Sequence, residues 1–315
     1  MKRSFPPPAL ISPAAKRFLL DALPIADLNL SLDALIGKRQ EIHASVSPGG
    51  KAVQAELKVA VEWVELAGVP VQWVLPQAAR DDAIVLYFFG GGHITGSPDE
   101  DLAITARLAH FSGCRICVPA YRLAPEHPYP AALDDALGVY QALLKKHRGQ
   151  RIGLAGESAG GNLVLGLIGT AAAAGLALPD VVALMSPWCD LGHSGDSIRT
   201  LDGIDPTLDL DHQLCHMARA YAGGRDLTSP EISPLFAQVP AGFPPTVITS
   251  GTRDVLLSDA ARLSTKLREA GVTVDLRISE GMWHVFEYYP DLPEAEASLR
   301  GIAAFMAPYL AERPV

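Results

Sequence analysis

The sequence is poor in charge, and the charge it has is mostly negative. Charged residues make up 19% of the 315 residues, and the formal net charge is −9. An acidic chain is repelled by the phosphate backbone of nucleic acids and by anionic membrane surfaces. We therefore expect no nucleic-acid partner. The 49% of hydrophobic residues predicts a globular chain with a large core.

The sequence also lacks a long uninterrupted apolar run. The longest, at residues 163–178, is short for a bilayer span and contains three glycines, so a buried helix explains it better. Near the start, Pro6, Pro7 and Pro8 stand where a secretory signal would have its apolar stretch. We expect no membrane span and a cytoplasmic location.

Cysteines are few, and their spacing is uninformative. Cys114 and Cys117 have CxxC spacing, but a zinc site would need a second ligand pair, which the other two cysteines do not form. Cys117 lies in an apolar run that reads as a strand, unlike a redox CxxC, which begins a helix. We predict buried, reduced thiols and no metal site.

Strand-like and helix-like patterns alternate from about residue 61 onward. This alternation predicts an α/β fold, with a mostly parallel sheet of about eight strands and helices on both faces. The predicted strands are 61–66, 71–75, 83–89, 115–120, 151–155, 181–185, 246–250 and 273–278, the first two forming a hairpin around a Gly-Pro turn. The predicted core helices are 132–146, 159–174, 255–270 and 293–311.

Two segments do not fit the alternation. The first, residues 8–47, has helical stretches near 13–23 and 31–42, and the second, residues 190–233, has one near 210–221. Insertions of this kind usually cover an active site at the edge of a sheet. We therefore divide the chain into an N-terminal cap segment at 1–55, a second cap segment at 190–233, and a core at 56–189 and 234–315.

A GxSxG sequence at residues 156–160 lies between a predicted strand and a predicted helix. A serine on such a sharp turn has a strained backbone and needs small neighbours, and its hydroxyl stands above the sheet edge. The N–H of Ala159, at a helix N-terminus, can stabilise an oxyanion. The pattern predicts Ser158 as a nucleophile, with a plain glycine-rich turn as the structural alternative.

A serine nucleophile needs a base and a residue that orients the base. Among nine histidines, His284 follows the last predicted strand, and Asp254 follows the strand before it. The chain order of nucleophile, acid and histidine is the one that accompanies this kind of serine turn. Ser158, Asp254 and His284 are thus the predicted triad, with Asp259 as the rival acid.

A glycine-rich loop follows the predicted strand at 83–89. It reads Phe89-Gly90-Gly91-Gly92-His93, and consecutive glycines let backbone N–H groups approach a ligand closely. A flexible loop without a binding role is the alternative interpretation.

Together these motifs closely resemble those of the hormone-sensitive-lipase-like bacterial esterases of the α/β-hydrolase superfamily. The resemblance covers nearly the whole chain and includes YRLAPEHPYPAA at 121–132, GESAGGN at 156–162, SPW at 186–188 and SPL at 233–235. It implies an α/β-hydrolase fold with a helical cap and an oxyanion hole at Gly91, Gly92 and Ala159. It also implies hydrolysis of short to medium acyl esters through an acyl-enzyme, without metal or cofactor.

Two positions depart from the family pattern. The family usually has His where Phe89 stands, and it more often has Asp where Glu157 stands. The family His bonds to the loop backbone, which Phe cannot do, while His93 could supply a hydrogen bond from the other side of the turn. We expect the oxyanion hole to persist and the rigidity of the loop to depend on other contacts.

The implied cap closes over a pocket for the acyl and alcohol groups. Trp188, Met217 and Tyr221 are its candidate lining residues, with cap-core packing as the alternative for each. The partner is then a small-molecule ester or lactone, because some relatives open lactones. A receptor on a hydrolase scaffold is the alternative from another class, and a homodimer is left open.

Overall fold

A central β-sheet organises the computed structural model, which describes residues 5–22 and 25–311. Within those residues the sheet has eight strands in the order β1-β2-β4-β3-β5-β6-β7-β8. The strands are β1 (Ala60–Leu66), β2 (Val69–Leu75), β3 (Ala83–Phe88), β4 (Arg115–Pro119), β5 (Arg151–Glu157), β6 (Val181–Met185), β7 (Thr246–Gly251) and β8 (Val274–Ser279). Only β2 runs in the opposite direction to the other seven strands, so the predicted mostly parallel α/β sheet is confirmed.

The predicted hairpin of β1 and β2 is present, but its turn is shorter than expected. The turn residues are Ala67 and Gly68, with φ of 54° and 79°, and Pro70 lies inside β2. Two residues with positive φ suit the right-handed twist of a hairpin, and Gly68 adopts this conformation without strain. The predicted Gly-Pro turn is therefore wrong.

Helices cover the sheet and flank it. They are α1 (Pro13–Leu20), α2 (Leu32–Glu56), α3 (Leu102–Ser112), α4 (Ala131–Lys146), α5 (Ala159–Ala173), α6 (Ser197–Thr200), α7 (Cys215–Ala222), α8 (Leu257–Glu269) and α9 (Pro293–Leu310). The four predicted core helices are confirmed to within two residues as α4, α5, α8 and α9. None of the helices in 5–22 and 25–311 is long and apolar enough to cross a membrane.

The helices outside the core differ from prediction. The stretch predicted at 13–23 ends at Leu20, and Leu23 lies outside the described residues. The stretch predicted at 210–221 begins with a π-helical turn, Leu210–Leu214, before α7. The largest difference is α2, which was predicted to end at residue 42 and continues to Glu56.

Packing explains the length of α2. Its second half contains Ser47, Pro48, Gly49 and Gly50, residues of low helix propensity that predict an end to the helix. A Cβ on Gly50 would lie only 2.8 Å from the Cβ of Leu102 in α3. The glycine thus allows α2 and α3 to approach closely, and this tertiary contact outweighs the local preference.

Three of the four cysteines are buried as predicted, whereas Cys215 in α7 is only partly buried. Cys117 is in β4, all four cysteines are free, and Cys114, Cys117 and Cys189 are buried. Burial raises the pKa of the Cys117 thiol, which therefore stays protonated and unreactive.

Candidate active site

Ser158 occupies a strained turn between β5 and α5. Its φ of 51° and ψ of −118° lie outside the regions that non-glycine residues ordinarily adopt. A Cβ on Gly156 would lie 2.6 Å from the Gly160 carbonyl oxygen, and a Cβ on Gly160 would collide with the Phe88 carbonyl. The turn therefore needs small residues on both sides of the serine, which is the steric reason for the GxSxG spacing.

The backbone around Ser158 is tied to the neighbouring strand. The Ser158 N–H donates to the Met185 carbonyl at 2.9 Å, and the Ser158 carbonyl accepts from the Trp188 N–H at 3.0 Å. Both partners belong to the chain leaving β6, so the sheet itself fixes the position of the hydroxyl.

Ser158, His284 and Asp254 form one hydrogen-bonded chain. The Nε2 atom of His284 lies 2.9 Å from Ser158 Oγ, and its Nδ1 atom lies 3.1 Å from Asp254 Oδ1. Ser158 follows β5, His284 follows β8 and Asp254 follows β7, at the carboxyl edge of the sheet where α/β proteins bind ligands. The structure thus brings together the three residues that the sequence singled out.

Asp254 is buried and surrounded by donors. Its Oδ2 atom accepts from the Ser250 hydroxyl at 2.7 Å, and its Oδ1 atom accepts from the Leu256 N–H at 2.9 Å. Burial favours the neutral acid, but the charge of His284 and the hydrogen bonds outweigh it and lower the pKa of Asp254. The carboxylate therefore stays ionised at neutral pH.

The pKa of His284 shifts in the opposite direction, upward. Burial disfavours its charged form, but the charge and hydrogen bond of Asp254, helped by the charge of Asp205, raise the pKa of His284 above its ordinary value. An imidazole with this environment is a stronger base than one in water. It can take a proton from the hydroxyl that lies beside it.

The rival acid, Asp259, makes a different set of contacts. Its carboxylate accepts from the backbone N–H groups of Cys189 and Asp190, each at 2.9 Å, and from Arg262 at 2.9 Å. These bonds join the start of the 190–233 segment to α8. Asp254, and not Asp259, is thus the carboxylate beside His284.

The glycine loop leaves no room for side chains. Gly91 and Gly92 have φ of 89° and 63°; a Cβ on Gly91 would collide with the Thr95 carbonyl, and one on Gly92 with the Met217 thioether. Both glycines line the cavity beside Ser158, and Ala159 is the first residue of α5. The three predicted oxyanion donors therefore surround the nucleophile.

Phe89 is held by an aromatic contact in place of the family histidine. Its ring stacks on Tyr121 with a centroid distance of 4.2 Å, and the Tyr121 hydroxyl donates to the Phe89 carbonyl at 2.7 Å. His93 does not supply the hydrogen bond considered above, because among the described residues neither ring nitrogen bonds to the backbone of the glycine loop. Its ring stacks on Tyr221 at 3.7 Å, and burial lowers the pKa of His93 to about 3.

A cavity of about 270 Å³ opens over Ser158 and His284. Both segments outside the core contribute to its walls. The residues that they supply include Leu28, Ile42, Val46, Thr207, Leu208, Gln213, Leu214 and Met217. Of the three candidate lining residues, Trp188 and Met217 line this cavity, whereas Tyr221 is not among its lining residues and packs against His93.

Comparison with known proteins assigns the chain to a family. It matches the alpha/beta hydrolase fold family over residues 85–288, a span that includes Ser158, Asp254 and His284. The chain belongs to the α/β-hydrolase family.

The similar proteins narrow this assignment. An acetyl-hydrolase of Streptomyces hygroscopicus is 34% identical over 237 residues, covering 75% of this chain and 78% of the relative. The crystal structure of esterase E25 is 31% identical, covers 98% of both chains and has a TM-score of 0.90. A hormone-sensitive lipase from a metagenome library is 34% identical, covers 95% and 96%, and has a TM-score of 0.83. These similarities confirm the resemblance to the hormone-sensitive-lipase-like esterases.

Two carboxyl groups of the hydrolase lie in the cavity wall next to Ser158. Burial raises the pKa of Asp101 to about 7 and, with the charge of Asp101, raises that of Glu157 well above its ordinary value. The Tyr87 hydroxyl donates to Asp101 Oδ2 at 2.6 Å. The raised pKa favours the neutral form of Glu157, which limits negative charge beside the site where an oxyanion would form.

No functional role was predicted for Asp205, which the structure places against His284 and the loop of Asp254. Asp205 is 2% exposed, and its Oδ2 atom accepts from the His284 N–H at 3.1 Å. The two residues are 79 positions apart, and no spacing rule connects them. Only the folded arrangement of the 190–233 segment reveals this contact.

Proposed function

We propose that this hydrolase cleaves carboxylic esters with short to medium acyl chains through an acyl-enzyme on Ser158. One observation carries the proposal, the hydrogen-bonded chain from Ser158 through His284 to the buried Asp254, with distances of 2.9 and 3.1 Å. Its position at the wall of a cavity supports a small organic substrate.

In the acylation half of the reaction, Ser158 Oγ attacks the ester carbonyl carbon while its proton passes to His284 Nε2. Asp254 accepts from His284 Nδ1–H, which fixes the tautomer and stabilises the imidazolium. The N–H groups of Gly91, Gly92 and Ala159 hold the oxygen that becomes negative. The bond to the alkoxy oxygen then breaks, and His284 protonates the leaving alcohol.

Water completes the cycle. It attacks the acyl carbonyl while His284 takes one of its protons, and the same N–H groups hold the second oxyanion. The bond between the acyl carbon and Ser158 Oγ breaks, Oγ regains a proton from His284, and the acid leaves. No step requires a metal or an organic cofactor.

The two segments outside the core support the inference of a cap. We propose that residues 1–55 and 190–233 together cover a core of 56–189 and 234–315, because both supply cavity residues such as Val46 and Met217. The cavity volume of about 270 Å³ is below the roughly 300–1,000 Å³ of pockets for drug-sized ligands. This size supports a short to medium acyl chain.

The test compares Ser158→Ala with the wild type on p-nitrophenyl esters of increasing acyl length and on a set of lactones. Loss of a triad nucleophile costs several orders of magnitude, up to about 10⁶ in kcat. A fluorophosphonate should label Ser158 and no other serine, as shown by peptide mass spectrometry. Wild-type turnover in Ser158→Ala, or labelling at another residue, would refute the mechanism.

A further inference from the structure

Asp205 is a buried carboxylate whose hydrogen bonds reach both catalytic loops. Its Oδ2 atom accepts from the backbone N–H of His284 at 3.1 Å and from the backbone N–H of Val255 at 3.2 Å. Val255 directly follows Asp254 in the chain. One oxygen atom of the 190–233 segment therefore joins the loop of the base to the loop of the acid.

The other oxygen of Asp205 binds the cavity wall. Its Oδ1 atom accepts from the N–H and the hydroxyl of Thr207, each at 2.9 Å, and from the N–H of Leu208 at 3.3 Å. Thr207 and Leu208 both line the cavity. The same side chain thus contacts the part of the 190–233 segment that faces the substrate.

We propose that Asp205 is a positioning residue for ester hydrolysis, an inference that depends on the triad mechanism proposed above. Its carboxylate holds the backbone of His284 and of the Asp254 loop in place. Its negative charge also favours the imidazolium that His284 becomes in each half-reaction. Four N–H groups and one hydroxyl donate to this carboxylate, which offsets the cost of burying the charge.

The charge of Asp205 raises the pKa of His284. His284 faces carboxyl groups from three elements, namely Asp254 after β7, Asp205 in the 190–233 segment and Glu287 in the 3-10 turn Phe286–Tyr288. Burial lowers the pKa of His284, Asp254 raises it most, and Asp205 raises it further. Burial and the charge of Asp254 raise the pKa of Asp205 to about 6, so Asp205 is mostly ionised at neutral pH.

A purely structural role and a positioning role predict different kinetics. If Asp205 only anchored the segment, its replacement would lower the melting temperature and leave the pH dependence of the remaining activity unchanged. If it positions and polarises His284, its replacement lowers kcat and moves the acidic limb of the pH profile.

The experiment compares Asp205→Asn with the wild-type full-length enzyme. The amide has nearly the same volume but no charge, and its NH2 group meets N–H donors in either orientation. We expect kcat to fall by about ten- to a hundredfold with a smaller change in KM, the scale expected for a misplaced catalytic group. The acidic limb of kcat/KM should move to lower pH, because one negative charge beside His284 is gone.

Asp205→Glu separates charge from position. It retains the negative charge but displaces the carboxylate oxygens by one methylene. We expect a reduced kcat with an acidic limb close to that of the wild type. This variant also provides the test if Asp205→Asn does not fold.

Asp190→Asn is the matched control. Asp190 is another buried carboxylate of the 190–233 segment, and it accepts from the Ser194 N–H at 3.0 Å and from Arg262 at 2.9 Å, away from His284. Its replacement should lower the melting temperature without moving the acidic limb. An equal movement of the limb in Asp190→Asn would overturn the specific role of Asp205.

The outcomes distinguish the two proposals. An active Ser158→Ala variant would refute the triad mechanism whatever Asp205 does. An inactive Ser158→Ala, combined with wild-type kcat and an unmoved acidic limb in Asp205→Asn, would overturn the positioning role alone. A reduced kcat with a shifted limb in Asp205→Asn, and with an unshifted limb in Asp190→Asn, supports it.

Discussion

In the proposed mechanism, the pKa of His284 sets the lower pH limit of activity. Despite burial, Asp254 and Asp205 raise this pKa above the ordinary imidazole value of about 6.5. A protonated His284 cannot accept the proton of Ser158, so kcat/KM should fall as pH drops through the raised pKa. We expect the midpoint of this fall to lie above about pH 6.5.

To check this, kcat/KM is measured against pH with an ester whose alcohol does not titrate. Hydrolysis is monitored by the release of that alcohol. Circular dichroism at each pH separates loss of activity from unfolding. A rate that stays constant down to about pH 5, where an ordinary imidazole is charged, would contradict the role of His284.

Single substitutions in and around the glycine loop test how firmly Phe89 and its neighbours must be held for activity. Tyr121→Phe removes only the hydroxyl that bonds to the Phe89 carbonyl, and one net hydrogen bond contributes about 0.5–1.5 kcal/mol. Tyr121→Phe and Phe89→His should therefore each change kcat/KM by about tenfold or less. Gly92→Val should lower it by at least about a hundredfold, because the side chain would collide with Met217 beside the oxyanion position.

These three variants are compared on one short-chain ester. The result that would overturn this account is an inactive wild type that Phe89→His restores by several hundredfold. The natural chain would then be a disabled hydrolase.

The triad could be predicted from sequence because its signals are local. Ser158 has its own steric motif, and Asp254 and His284 each follow a recognisable strand. Asp205 and Asp101 could not be predicted in this way, because their roles depend on contacts between distant segments. His93 shows the same limit, since its stacking on Tyr221 joins two segments far apart in the chain.

At the scale of elements, α2 supplies part of the cavity wall. Ile42 and Val46 line the cavity, whereas Ile36 on the same helix is 41% exposed. Val46→Phe should fill part of the cavity and lower kcat/KM for longer acyl chains relative to acetate. One extra or missing methylene in an apolar pocket discriminates by about 10–200-fold, which sets the expected scale.

The chain-length profile of p-nitrophenyl esters measures this effect. Ile36→Phe is the matched control, since it adds the same ring to the same helix outside the cavity and should leave the profile unchanged. An unchanged profile in Val46→Phe would show that this wall does not contact the acyl chain.

The same helix, α2, also holds the chain just after the glycine loop at Gly90–Gly92. Arg39 donates to the Ile94 carbonyl at 2.7 Å and to the Ala124 carbonyl at 2.8 Å, and it pairs with Glu126. Arg39→Met should lower kcat by about tenfold for all acyl lengths alike, because it loosens the loop without altering the cavity wall. Lys38→Met, which removes a surface pair with Glu41, should have little effect.

Kinetics on the same ester series distinguish these variants. An Arg39→Met variant that alters the chain-length profile but keeps wild-type kcat on acetate would contradict the loop-support role. A deletion of residues 1–47 would cut α2 in the middle and remove Arg39. It should therefore lower turnover as well as alter substrate choice.

Elements marked by a clear periodicity or by a short apolar run were predictable, whereas α3 was not. The eight strands and four core helices show clear periodicity or short apolar runs. Eight consecutive residues of α3, Leu102–Ala109, are buried, including Thr105 and Arg107, so no amphipathic stripe marks this helix. It was not predicted for that reason, and α2 was predicted too short because its packing on α3 is invisible in the sequence.

At the scale of the whole molecule, the described residues contain no group of three or more His, Cys, Asp or Glu side chains that could hold a metal ion. The proposed mechanism moves protons and bonds through side chains and backbone N–H groups alone. Prolonged dialysis against EDTA should therefore leave kcat/KM unchanged. A loss of activity that zinc restores would require a new interpretation of Cys114 and Cys117.

The bonds of Asp205 limit how such enzymes can acquire new specificities. The segment that shapes the substrate cavity also carries the acceptor for the backbone of His284 and Val255. A segment grafted from a relative without an aspartate at this position would leave two buried N–H groups unsatisfied beside the reacting atoms. The 190–233 segment of this chain is therefore not an interchangeable module, and its substrate preference is better engineered by substitutions around a retained Asp205 than by exchange of the whole segment.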